Sequence, residues 1–232
     1  MGLTIHYTFE LNDGDEAQAR AMVEQLRQKA LGASFKEVGE IVEFVGDAAD
    51  FQGLGKDDPN LWLLCQASRF LERGTTFYRI APQQVIAFPT LPADGSEPAN
   101  FGLATYPKTI DTGEEEISTE ADGWRWSSFC KTQYASNPNV GGVQNFLRAH
   151  LSIVALLDAA RDLGLLREVG DEGGYWEKRD VTSLADQVRY WNTAIAGLAG
   201  SIKDLLGGAA EAPITNYPNF EHLEADAEKE QS

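Results

Sequence analysis

One short pattern occurs twice, once in each half of the 232 residues: Leu31-Gly32 leading to Glu37-Val38-Gly39-Glu40, and Leu163-Gly164 leading to Glu168-Val169-Gly170-Asp171. Both copies follow an alternating segment and an amphipathic stretch, so each reads as strand, helix, strand. A βαβ unit buries its sheet face only against neighbours. The expected fold is therefore α+β: two related βαβ (ferredoxin-like) units, residues 1–109 and 124–210, joined by a β-meander. They form a mainly antiparallel sheet with helices packed on one face. An acidic loop, 110–123, would separate the units and an acidic tail, 211–232, would end the chain; one continuous domain over 1–210 is the alternative.

The local patterns fill in this scheme. Leu3, Ile5, Tyr7, Phe9 and Leu11 alternate with Thr4, His6, Thr8 and Glu10, the mark of a half-buried strand. Asp15 with Gln18, or Asp13 with Glu16, opens a helix bearing Ala19, Met22, Val23, Leu26 and Ala30. A second strand is expected over Val38 to Val45. Asp58 and Pro59 begin an apolar helix through Leu61, Trp62, Leu64, Cys65 and Leu71 that should stop at Gly74. Thr76 to Ile80 and Val85 to Phe88 then read as a hairpin about Pro82 and Gln83, with Phe101 to Tyr106 as a third strand.

In the second half, Trp124 to Tyr134 alternates again, and a turn over Asn137 to Gly142 leads into a helix carrying Phe146, Leu147, His150, Val154 and Leu157. The return strand is expected over Tyr175 to Val181. Leu184, Val188, Trp191, Ile195, Leu198, Ile202 and Leu205 then alternate spacings of four and three. That seam needs a partner surface, either within the chain or in a homodimer through the helix Leu184 to Leu205.

The net charge of −17 is local rather than general. Residues 111–123 hold six acidic and no basic side chains, and residues 211–232 six against one. Short like-charged runs are ordinarily solvated. No basic stripe is present to displace counterions from a phosphate backbone, so nucleic acid is excluded as a partner. No apolar run reaches the roughly 18 residues of a membrane span, and Met1 to Leu11 lacks a basic start followed by an apolar block. With two widely spaced cysteines, Cys65 and Cys130, these features lead to the expectation of a soluble cytoplasmic protein with reduced thiols.

Recognisable catalytic signatures are missing. Gly53, Gly55 and Lys56 lack Walker spacing and are followed by Asp57, and there is no GxGxxG, HExxH, CxxC or EF-hand loop. No metal and no cofactor is expected. His150, among Leu147, Leu151 and Val154, reads as a satisfied core histidine, and His222 as a solvated one. His6 is the better acid–base candidate because it lies on the polar face of the first strand. Cys130, Lys131 and Glu177 are the other weak catalytic candidates.

A ligand-binding constellation is built from Trp124, Trp126 and Lys131 on one strand, with Tyr175 and Trp176 on the expected return strand, as a stacking or cation-π pocket. Gly141 and Gly142, ahead of a helix, would leave amides open to an anion. The leading functional reading is a binding or interaction protein of unknown partner, without a recognisable catalytic motif. Its alternatives are an enzyme or small-molecule or anion-binding protein with a pocket on the second βαβ unit, and an acidic inhibitor or immunity-type protein for a basic partner.

Overall fold

Alternation makes β1 (Thr4–Leu11) a strand, with Ile5, Tyr7 and Phe9 buried and His6 facing solvent. The computed structural model describes residues 3–113, 115–205 and 213–231. Helix α1 (Glu16–Leu31) starts at a reciprocal capping box in which Asp15 and Gln18 each accept the other's backbone amide. It buries Ala19, Val23, Leu26 and Ala30. Where one strand is expected over Val38 to Val45, two short ones occur, β2 (Glu37–Val38) and β3 (Val42–Val45). The break has a chemical cause. Both pair with the strand containing Pro89, on either side of that residue, and Pro89 has no N–H to continue the ladder.

Helix α2 (Leu61–Ala67) ends well before Gly74. The rest of that apolar run is instead β4 (Arg69–Arg73), paired with β5 (Thr76–Ile80), and Gly74 at φ 61° supplies the hairpin turn. The expected hairpin about Pro82 is thereby replaced. Its second arm, β6 (Gln84–Leu91), pairs with β7 (Ala99–Thr105), and Val85, Ile86, Ala87 and Phe88 are all buried because both faces of β6 are covered. A small hairpin, β8 (Thr109–Asp111) with β9 (Glu116–Ser118), carries much of the acidic loop.

Strand β10 (Trp124–Lys131) begins where expected but ends before Tyr134, because Gln133–Ser136 is a 3₁₀ turn, and helix α3 (Gly142–Asp162) follows expectation. The return strand does not. It is β11 (Leu166–Asp171), and Tyr175–Lys178 forms the single helical turn α4. The Asp171 carboxylate accepts the amides of Gly173 and Trp176, folding the chain back, and Asp180 then caps α5 (Val181–Leu205) through the amides of Thr182 and Ser183.

Composition reads the C-terminus as a loose acidic tail, but a 3₁₀ turn at Pro213–Asn216 leads into α6 (Phe220–Gln231). Ile214, Tyr217, Phe220 and Ala227 recur at spacings of three and seven and are buried. The first three pack with Ala196 and Ala199 of α5. The α5 seam is accordingly divided. Leu184 and Val188 pack with Phe146 and Leu147 of α3, whereas Leu198 and Ile202 remain exposed.

The main sheet has the order β11-β1-β10-β7-β6-β2, with β3 also on β6, and all its pairs are antiparallel. The two strand–helix–strand units thus share a sheet but not a spacing: β1 alone lies between β10 and β11, while β10, β7 and β6 lie between β1 and β2. Helices α1 and α3, together with Leu63, Leu64 and Ala67 of α2, belong to the same core cluster as Ile5, Tyr7 and Phe9. Trp62 of α2 meets Phe129 edge-on, on the face opposite Cys130.

Between β10 and β7 the ladder is reduced to Arg125 opposite Ala104. Side chains take over the bonding there. Tyr7 Oη and Trp126 Nε1 both donate to Asn100 O, at 2.7 and 2.9 Å, while Asn100 Nδ2 and Ser128 Oγ both donate to Gln66 Oε1 at 2.8 Å. Burial pushes the Tyr7 phenol well above its usual range, so it stays a donor. Among the described residues no helix is long and apolar enough to cross a membrane.

Candidate functional site

The aromatic and charged constellation does not assemble. Trp124 and Trp126 point into the core, 4% and 0% exposed, on the side of β10 opposite Lys131. Tyr175 and Trp176 belong to a helical turn, not to a neighbouring strand. Trp176 is covered by guanidinium groups, with Arg179 at 4.5 Å and Arg161 at 5.4 Å from its ring, and Arg179 is held bidentate by Asp158. Lys131 Nζ lies 4.8 Å over the Tyr134 ring. The two glycines are likewise occupied. Gly141 and Gly142 take φ of 110° and 60°, and their amides donate to Pro138 O and Asn137 O rather than standing open to an anion.

The catalytic candidates are scattered. Cys130 is fully buried, its Sγ donates to Glu97 O at 3.1 Å, and burial pushes the thiol well above its usual range, which removes it as a nucleophile. Glu177 is exposed on α4. His6 is exposed on the open face of β1, its ring 5.8 Å from that of Phe129. Its strand neighbour on that face, Glu10, is engaged by Arg125 and Arg167.

His150 is a satisfied core histidine, as its neighbours in sequence suggest, and what the sequence does not reveal is the buried relay that satisfies it. His150 Nε2 lies 3.2 Å from Asp171 Oδ2, and His150 Nδ1 lies 3.1 Å from Thr132 Oγ1. Hydroxyl, imidazole and carboxylate stand in the order of a hydrolytic triad, but with the ring nitrogens exchanged, Nδ1 toward the hydroxyl and Nε2 toward the carboxylate. Here it is sealed. Thr132 and His150 have no exposed surface, nor has the Asp171 side chain. Burial alone would raise the Asp171 carboxyl, but the hydrogen bond and charge of His150 and the amides of Trp176 and Gly173 hold it below the usual range. A Cβ at Gly173 would lie 2.6 Å from Leu184 and 3.2 Å from His150, so the chain closes tightly over the pair. The relay ties α3 and β11 to the residue that follows β10 and offers no room for a substrate.

No family model, curated protein or solved structure matches this chain. Among the described residues no cluster of His, Cys, Asp and Glu is arranged to hold a metal ion. A hollow of about 540 Å³ at the β2–β3 break is lined by Val38, Gly39, Pro89, Leu91 and Pro98, with Glu37 as its one carboxylate.

The exposed features lie elsewhere. On the β4–β5 hairpin Phe70 faces Arg79 and Glu72 faces Phe77, which puts Phe70 and Phe77 diagonally on one face. Each is 64% exposed. The base of this hairpin is anchored, because Arg79 donates two bonds to Asp50, at 2.9 and 2.7 Å, and stacks on Phe51 at 5.0 Å. That guanidinium holds the Asp50 carboxyl below its usual range. Near the tip, Arg73 lies 4.0 Å from Glu120, which brings residues of the acidic loop alongside.

Proposed function

We propose that the protein is a non-catalytic recognition protein that binds another protein through the β4–β5 hairpin. The observation that carries this reading is the diagonal pair Phe70 and Phe77, both 64% exposed on an anchored hairpin outside the main sheet. Solitary exposed apolar groups are ordinary, but adjacent aromatics on a held surface are the usual anchors of an interface. The charges about the pair are mixed: Glu72 stands opposite Phe77, Arg79 opposite Phe70 is tied to Asp50, and Arg73 with Glu120 lies on the other face, so the pair itself is the apolar anchor. The reading of an acidic protein for a basic partner gains nothing from this hairpin, whose strands carry Arg69, Arg73 and Arg79 against Glu72. An enzyme with a pocket on the second βαβ unit loses its support, since Trp124, Trp126 and Cys130 are core residues.

A photo-crosslinking side chain at position 77, activated in a lysate of the native source, tests the proposal. It should yield one dominant adduct that disappears with Phe70→Ser. Diffuse labelling, or an adduct indifferent to Phe70→Ser, would refute it.

A further inference from the structure

The main sheet ends on β11, and the edge it presents there is open. From Glu168 to Asp171 the pairing with β1 is regular, with Thr8 opposite Glu168, His6 opposite Gly170 and Ile5 opposite Asp171, and Glu172 N donates to Thr4 O at 3.1 Å. Backbone groups alternate across an antiparallel strand, so where Glu168, Gly170 and Glu172 turn theirs toward β1, Val169 turns its amide and carbonyl outward. Among the described residues nothing bonds either group. The opposite edge of the sheet is broken into β2 and β3, of two and four residues, whereas β11 runs for six without a lysine or proline, residues that commonly blunt such an edge.

The side chains beside this edge say what fits it. His6 and Glu168 stand on the same open face of the sheet, both are exposed, and among the described residues neither is in an ion pair. The adjoining Glu10, by contrast, is held by Arg125 and Arg167. Between His6 and the edge lies Gly170, where an added Cβ would meet only the Cβ of His6, at 3.8 Å. His6 is therefore open to a strand lying beside β11. Neighbouring strands are about 4.8 Å apart, so a long side chain opposite Gly170 can lean across the bare glycine to the imidazole.

We infer that two copies of the chain pair antiparallel along β11, about a two-fold axis at Val169, and so join their main sheets into one. In this register the two Val169 residues exchange both amide–carbonyl bonds, and Glu168 of each copy falls opposite Gly170 of the other, facing its His6. Every contact is made twice. Moving the axis by one residue is worse: on Glu168 it sets two carboxylates directly opposite each other, and on Gly170 it sets Glu168 against Glu172. Charge thus selects both the occupant and the register. The inference is independent of the hairpin.

The test is sedimentation equilibrium on the 232-residue chain, which should dimerise with a dissociation constant on the order of 1–100 μM, since a single strand edge is a small interface. Val169→Pro removes the outward amide without touching a bond to β1, as proline is tolerated on edge strands, and should weaken dimerisation by about tenfold or more. His6→Glu and Glu168→Lys, both at exposed positions, should each weaken it about as much by setting like charges across the interface. Mixing these two variants should restore dimerisation, because a dimer of one with the other again sets opposite charges at both crossings. That readout does not depend on whether Val169→Pro folds. A chain still monomeric at about 1 mM would overturn the inference. So would a dimer indifferent to Val169→Pro, a lack of recovery on mixing, or a dimer lost instead with Leu198→Ser and Ile202→Ser, which would place the contact on α5.

Discussion

Two regions of this protein carry the side chains that usually draw functional attention, and burial inverts their meaning. Around α3 a carboxylate, an imidazole and a hydroxyl stand in line, with no exposed surface on any of the three side chains. On the β4–β5 hairpin two phenylalanines, types normally counted as core, stand 64% exposed. Chemistry is shut inside and apolar surface is left outside. The difference teaches that residue type proposes a role and that accessibility decides it: a relay without access is a structural tie, and an aromatic pair in water is a surface awaiting cover.

The comparison is broken most sharply by removing the tie. His150→Ala leaves the Asp171 carboxylate buried without its partner, and should cost about 3–5 kcal/mol in chemical denaturation. A loss under about 1 kcal/mol would mean that the pair is solvated and open, and would revive a catalytic role. Trp126→Ala should be of similar size, about 3–5 kcal/mol, because it removes both core volume and the bond to Asn100 O.

Acid titration sharpens the same point. The Asp171 carboxyl is held below its ordinary value in the folded chain, so its stabilising contribution is complete above the unfolded value of about 3.9. It is lost as pH falls through the lower folded value. Asp171→Asn should therefore be less stable than the parent near neutrality and show a shallower decline between about pH 4 and pH 2. Parallel stability curves for the two proteins would remove the Asp171–His150 pair as the source of the acid limb.

A smaller effect is expected at the C-terminus. Phe220→Ala strips a buried aromatic from the junction of α5 and α6, and should lower stability by about 2–3 kcal/mol, below the core range because that cluster is peripheral. An unchanged thermal midpoint would return this segment to the loose tail that its charge suggests.

That contrast shows what was legible in the chain. Strand β1, the capping box of α1 and the body of α3 were readable because strict alternation and reciprocal caps are local signals. Helix α6 was not, since its apolar residues are sparse in a run of carboxylates and acquire meaning only against α5. Gly74 marked an end correctly but of the wrong element, because a helix stop and a hairpin turn ask the same φ of it. The pairing of β2 and β3 with β6 depends on Pro89, some fifty residues away, and local reading has no access to it.

The site was less legible still. In the repeated motif Glu40 and Asp171 hold equivalent places, yet Glu40 meets Arg27 at the surface, 85% exposed, while Asp171 turns inward to His150. A carboxylate in sequence is the same letter in water or in the core. Only the fold distinguishes them.

The least effect on stability should come from the region with the proposed function. Phe70→Ser and Phe77→Ser each remove a side chain that is already mostly in water, so each should stay within about 0.5 kcal/mol of the parent. On binding the order reverses: if the pair anchors an interface, each substitution should cost about 2 kcal/mol or more of affinity for the cross-linked partner. Leu198→Ser with Ile202→Ser is the matched control, since these α5 residues are exposed at 50% and 38% and belong to the seam that suggested a homodimer. Loss of binding or of self-association with the α5 pair, and not with the hairpin pair, would move the recognition surface to α5. Large destabilisation by Phe70→Ser would instead show that the hairpin face is covered within the protein itself, and the contrast between a sealed interior and an open hairpin would fail.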